Sequence, residues 1–402
     1  RALNKEGLLR PSLSRRRWEW NMKKIQSRRL PDDVAIFLTD SLRELPDKVQ
    51  SALFVLSCFG ASSESAFVES QGLDRNILEN LEIAVAEGLV DKIDDQYRFA
   101  HDRIQEAAYN TKPAHKRSVI HFKYGLELSS LLLGDEDTSA SASVLFTAVN
   151  QLNLGGPPAV QDKSHYITAA QLNLRAGKKA MEMSDFDYET AYSYFDSGIS
   201  YLRKKHWQEH YALSLELYTL AAKCALTNGN HTSLKLLSDE VAAKAHFFED
   251  KLDVLYFETC ALAYSSRLAE SIEKGLDILS KLGIELRGDE SSMEACVQET
   301  KSLLSGYTDD RILNTRRTTD PIMIIAMKFL GKLEAGMTQL MPKSVLYVAF
   351  KIIELSLTHG MSPVSPIGFA YYGSYLAKQG KINGGYHYVK LALSLLDKVG
   401  SR

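Results

Sequence analysis

Tyr97-Arg98-Phe99-Ala100-His101-Asp102-Arg103-Ile104-Gln105-Glu106-Ala107-Ala108-Tyr109 changes its period halfway. Tyr97 and Phe99 alternate with polar neighbours, the mark of a half-buried strand. Ile104, Ala107 and Ala108 then fall on one face of a helix. Upstream, Leu89, Val90 and Ile93 share the period of two, and Asp94-Asp95-Gln96 sits between the two runs as a hairpin turn. Before that hairpin, helical signals follow one another. Pro31-Asp32-Asp33 and Pro46-Asp47 each put proline and acids where a helix starts. Val49, Leu53 and Leu56 continue the second of these until Gly60 ends it. Residues 63–71 predict a short third helix closed by Gly72. Residues 75–87 predict a fourth, with Ile77, Leu78, Leu81, Ala84 and Val85 on one stripe and Gly88 at its end. Small helices closing with a two-stranded hairpin predict a winged helix over 31–112.

Residues 1–30 read as a basic, irregular connector, with ten Lys/Arg against Glu6 and Glu19. Arg15-Arg16-Arg17-Trp18-Glu19-Trp20 mixes cations with aromatics, so this stretch is also the candidate for an acidic partner. After residue 112 the regime changes. No proline occurs between Pro158 and Pro321, and apolar residues recur at helical spacing broken by short Gly, Asn and Asp turns. Cys224-Ala225-Leu226 recurs as Cys260-Ala261-Leu262, and Cys296 follows at the same interval. That interval is close to the about 34 residues of a tetratricopeptide repeat. The clearest unit is 169–202, with small residues Ala176, Gly177 and Gly198 where two helices approach and Tyr194-Phe195 between them. The fold expected is all-α with a small β-wing: a winged helix, then an α-solenoid of tetratricopeptide-like hairpins over 113–402.

The chain has 402 residues, enough for two to three domains at roughly 150 each. Its 48 basic and 50 acidic residues leave a net charge of -2, so no global field attracts nucleic acid. The longest apolar run, 321–327, is far short of the about 20 residues that span a bilayer. Cys58, Cys224, Cys260 and Cys296 lack CxxC spacing and lie in apolar helical stretches, which predicts buried, reduced thiols and an intracellular, cytoplasmic setting. Arg1 at one end, and Val399-Gly400-Ser401-Arg402 following a helical stretch at the other, read as a piece of a longer protein.

Enzyme chemistry is missing. The chain carries no GxxxxGK[ST], no GxGxxG after a strand and no GxSxG. His206 and His210 stand four apart, as on one helix face, but Trp207 occupies the place where a zinc protease needs glutamate. A solvated or packing role fits them better than a metal. The residues with a chemical reading are His101 and Asp102, at the start of the helix that follows the wing. Asp102 is placed to cap free N–H groups and complement the helix dipole. His101 either hydrogen-bonds within its own loop or faces an anion at the helix N-terminus.

At this stretch the chain resembles a family. The segment 97–109 is similar to the YRFxHDRIQxAAY segment of STAND-class signal-transduction ATPases, AAA-like P-loop regulators with a winged helix and a helical repeat arm. Leu30-Pro31-Asp32-Asp33-Val34, the LRELP run over 42–46, Glu87-Gly88-Leu89-Val90, the arm-like 169–202 and the W…YxLxLEL step at 207–217 match as well. The branch resembled is that of very large sensor proteins, in which a protein kinase often precedes the ATPase and a histidine kinase or cyclase often follows the repeats.

The resemblance implies a regulatory middle segment of such a protein, with its P-loop domain outside this chain and ATP/ADP with Mg bound there. Residues 1–30 become the tail of that nucleotide-binding domain, with Trp18 and Trp20 packed in it. His101 takes the role of the winged-helix histidine that contacts the β-phosphate of ADP and holds the closed state, and Arg103 either reaches phosphate too or makes an exposed ion pair. The partners implied are the preceding nucleotide-binding domain, the following signalling domains, and a protein or small-molecule ligand on the repeats. Two other classes stay open. One is a scaffold that binds peptides without nucleotide. The other is a winged-helix transcriptional regulator reading DNA with the helix begun by Arg75-Asn76-Ile77, although Glu79, Glu82 and Glu87 make that helix repel phosphate.

Overall fold

The computed structural model describes residues 9–12, 17–20, 22–23, 42–60, 62–64, 76–132, 139–183, 187–286 and 290–400. The helix start expected at Pro31-Asp32-Asp33 and most of the third helix expected over 63–71 lie outside these residues. The chain divides into two compact units, 1–165 and 166–402.

The first unit opens with a hairpin, β1 (Leu9–Ser12) antiparallel to β2 (Arg17–Trp20). This corrects the reading of 1–30 as irregular throughout. Trp18 and Trp20 are 51% and 58% exposed. They are two apart on one strand and so share a face, with Pro11 and Leu9 opposite them on β1.

Next comes α1 (Asp47–Cys58), entered through Pro46, with Val49, Ala52, Leu53 and Leu56 buried on its inner side. α2 (Ile77–Ala86) buries Ile77, Leu81 and Ala84 and packs on α1. It ends in paired bonds from Gly88 N–H to the Val85 carbonyl (2.8 Å) and from Leu89 N–H to the Ala84 carbonyl (3.0 Å). Gly88 has φ +69°, a backbone position that favours glycine. β4 (Val90–Ile93) and β5 (Gln96–Phe99) form the wing, with Ile93 opposite Gln96 and Asp94 at φ +53° in the turn.

The sheet has a third strand that periodicity does not announce. β3 (Ser62–Glu64) pairs with the other edge of β5, giving the order β3-β5-β4. The expected third helix therefore does not begin at Ser63. Two serines with poor helix propensity run along an open strand edge and satisfy their backbone there. α3 (Asp102–Asn110) closes the winged helix, whose core joins Leu53, Leu56, Leu81, Val90, Tyr97 and Phe99. The hairpin of α4 (Ala114–Ser130) and α5 (Ser139–Gly155) lies beyond residue 112 and belongs to this first unit.

The second unit is an array of helices. α6 (Ser164–Glu182), whose first two residues belong to the first unit, and α7 (Tyr188–Tyr201) form the unit expected at 169–202. Gly177 sits directly against the Phe195 ring, so a side chain there would collide with it. After the short α8 (His206–Glu209) come α9 (Tyr211–Thr227), α10 (His231–Lys244), α11 (Leu252–Tyr264) and α12 (Leu268–Lys281), each packed on the one before from α9 onward. Cys224 on α9 and Cys260 on α11 are both buried.

The third member of that series breaks the pattern. Cys296 lies on α13 (Glu290–Ser305), which leaves the stack. α12 packs instead on α15 (Pro321–Leu340), while α13 packs on α16 (Val345–His359) and α14 (Asp309–Leu313) on α18 (Ile382–Gly400). α17 (Ser365–Lys378) completes the unit against α16 and α18. Two cores result, one around Leu279, Phe329 and Ile352, the other around Ile312, Phe369 and Leu395. No disulfide joins the cysteines; Cys58, Cys224 and Cys260 are buried as expected, whereas Cys296 is partly exposed. Among the described residues no helix is long and apolar enough to cross a membrane.

Candidate functional site

β5 delivers the chain to α3 in one step. Ala100 N–H donates to the Leu89 carbonyl (3.1 Å), and His101 follows in extended conformation, φ -159° and ψ 144°. His101 itself caps the helix. Its Nδ1 accepts the backbone N–H of Arg103 at 3.1 Å, and its carbonyl takes the first helical bond, from Ile104 N–H, at 2.9 Å. Asp102, expected to be the cap, is the first residue of the helix proper. The hydrogen bond within the loop is thus present, and it has a consequence. A ring whose Nδ1 accepts carries its neutral-state proton on Nε2. The exposed imidazole then offers one N–H donor beside the partial positive charge of a helix N-terminus.

Arg103 is turned elsewhere. Its Nη1 meets Glu106 Oε2 at 2.8 Å, with both side chains about half exposed. Such a pair holds at most about 1 kcal/mol, so the guanidinium is easily redirected. Asp102 and Glu106 bring two carboxylates to the same turn and oppose an anion. The group can donate hydrogen bonds at a helix end. It contains no nucleophile paired with a base.

Two clusters lie on either side of this helix, one at the wing before it and one at its far end. At the wing, Glu82 of α2 accepts from Lys92 Nζ (2.6 Å) and from the Tyr97 hydroxyl (2.7 Å), while the Lys92 ammonium lies 5.2 Å from the Tyr97 ring centre. The bond from Lys92, then that from Tyr97, holds the Glu82 carboxyl below its usual range. Burial, then the bond to Glu82, raises the Tyr97 phenol.

The second cluster was not read from the sequence. Tyr109, near the far end of α3, contacts His121 Nε2 of α4 at 2.8 Å. His121 Nδ1 meets Gln151 Oε1 of α5 at 2.6 Å, and Gln151 Nε2 donates to the Cys58 carbonyl at the end of α1 at 2.8 Å. His121 and Gln151 are 1% and 4% exposed. The amide sets every role: its nitrogen gives to a carbonyl, so its oxygen accepts from Nδ1–H, and Nε2 accepts the tyrosine proton. Arg117 stands 4.4 Å from the Tyr109 ring centre. Burial pushes the His121 ring below the usual histidine range. A histidine and a glutamine on otherwise apolar helix faces were the signal that could have found it.

The histidine pair has a packing role. The helix breaks at His210, φ -138°, so His206 and His210 do not share one face. His206 Nδ1 bonds Ser214 Oγ at 2.8 Å and its ring stacks on Tyr218, while Trp207 donates to Glu240 at 2.9 Å. Among the described residues no group of histidines, cysteines and carboxylates could hold a metal ion.

No family model matches the chain. It is similar to the hybrid signal transduction histidine kinase G of Dictyostelium discoideum, 21% identical over 479 residues. The match covers 99% of this chain and 14% of that protein, so the chain spans only a small part of the length of its curated relative. Among solved structures it is similar to a signal transduction ATPase with numerous domains (STAND) protein with a tetratricopeptide repeat sensor from Pyrococcus horikoshii. That likeness is 14% in identity with a TM-score of 0.37, and it covers 93% of this chain and 48% of the other.

Proposed function

We propose that the chain is the regulatory segment of a signal-transduction protein, in which the winged helix senses nucleotide and the repeats take a ligand or partner. The similarity along its whole length to part of a hybrid histidine kinase supports the signalling role. The observation that carries the nucleotide reading is His101: a cap whose Nδ1 is occupied and whose Nε2–H points outward at a helix N-terminus. That donor suits a phosphate oxygen of ADP bound, with Mg, on a neighbouring nucleotide-binding domain of the same protein. Arg103 is the second donor, once released from Glu106. A hydrogen bond to a charged group contributes about 1.5–3 kcal/mol. That is enough to hold a closed state which a partner on the repeats then opens by binding the open form better.

The test is His101→Asn in the whole protein, because asparagine keeps the cap and puts a shorter amide donor where the imidazole Nε2–H was. ADP release is expected to quicken about ten- to hundredfold, with higher basal output. Unchanged ADP release overturns the sensor reading and leaves the scaffold. The scaffold is favoured by one observation. α18 exposes Ile382, Tyr386, Val389, Leu393 and Leu396, a four-three apolar stripe fitted to a partner helix.

A further inference from the structure

α3 is nine residues long and is held at both ends. His101 caps its start. Tyr109, one residue from its end, enters the buried relay through His121 and Gln151 to the Cys58 carbonyl. Four helices meet there: α1, α3, α4 and α5. We infer that this relay is a proton-sensitive joint, which locks α3 to the α4–α5 hairpin while His121 is neutral and releases it when His121 is protonated.

Proton roles decide this. In the neutral ring each polar atom of the relay has a partner of the opposite kind. Protonation turns Nε2 into a donor that faces the donating Tyr109 hydroxyl. The tyrosine proton must then rotate out of the relay, so that the hydroxyl oxygen accepts from Nε2–H instead of donating to it. The new cation also needs a counter-charge, and the elements packed around it supply little. α5 has no ionisable side chain. α1 offers the Cys58 thiol, pushed up to about 12 by burial and therefore neutral. α3 offers the Tyr109 phenol, also raised by burial. α4 offers Arg117, of the wrong sign, and Glu127, whose charge is felt by Tyr124. A buried cation without a partner is expelled or forces the site open.

The folded ring binds its proton less readily than a free histidine, so the lock is complete above about pH 6.5. It weakens as the pH falls from there toward the folded value, about tenfold for each unit of depression. The joint stands on the relay alone. What its release does to an anion held by His101 rests on the nucleotide reading of that residue.

The experiment is hydrogen exchange on the 402-residue chain at pH 7.5 and pH 5.0, corrected for intrinsic rates, with the His121 ring followed by carbon-labelled histidine NMR. Acid is expected to lower protection in 102–110 and 114–130 by tenfold or more, with a midpoint that matches the His121 titration. His121→Gln, which can accept from Tyr109 and donate to Gln151 without titrating, is expected to remove the pH dependence. Protection that does not change with pH overturns the joint. So does a loss of equal size in His121→Gln, or a His121 titration at a different midpoint. Should that variant not fold, the match of midpoints in the unaltered chain decides. His101→Asn is expected to leave the acid response intact, so failure of the sensor and failure of the joint are separate results.

Discussion

Two histidines at the ends of one stretch of chain show opposite proton placement. His101 accepts at Nδ1 and presents Nε2–H to solvent; His121 donates at Nδ1 and accepts at Nε2 in the core. The same side chain is an outward donor in one place and an inner link in the other because its neighbours differ. A third residue gives a direct test. Glu82 is depressed by its bonds from Lys92 and Tyr97, so it binds its proton less readily folded than unfolded. Its contribution to stability is present above the ordinary glutamate range and is lost as pH falls through the lowered value. Glu82→Gln is expected to flatten the acid limb of the first unit's stability below the ordinary glutamate range while changing little at pH 7. Urea unfolding at stepped pH, followed in the first unit, measures it; an unaltered acid limb contradicts the assignment.

Among elements, α1, α2, the wing and the α6–α7 pair were legible because each has its own period and its own stop signal. β3 was not. Ser62-Ser63-Glu64 has no apolar alternation, and what makes it a strand is the free edge of β5, more than thirty residues away in sequence. The relay was hidden for the same reason, since Gln151 reaches a carbonyl 93 residues distant. The departure of α13 from the stack was hidden differently. Its residues repeat like those of any amphipathic helix, and periodicity names a buried face without naming the neighbour that covers it. Of the candidate site, His101 and its helix end were legible from local sequence, but its role as cap was assigned to Asp102. The array itself is tested at Phe195, which is fully buried against Gly177. Phe195→Ala is expected to cost about 3–5 kcal/mol and to melt α6–α7 first. Exchange mapping that shows uniform loss over the second unit instead would refute local stacking.

At the level of the whole molecule, the first unit has a core of its own and contains both the candidate donor and its joint. A change at His121 is therefore expected in the exchange pattern of 1–165 and not in that of 166–402. The thiols describe the chain in another way. Burial pushes Cys58 and Cys224 up to about 12 and raises Cys260. At neutral pH, thiolate, the reactive form, is then about one part in 10⁵ of the first two. Cys296, on the helix that leaves the stack, is partly exposed. A maleimide applied briefly to the native chain is expected to mark Cys296 ahead of the other three, read by peptide mass spectrometry; even labelling of all four would show that the array opens. The irregularity in the repeat thus leaves one chemical address on the chain. A fluorophore could be written there, at the margin of the core around Phe369 and Leu395, to report from the arm on whatever binds it.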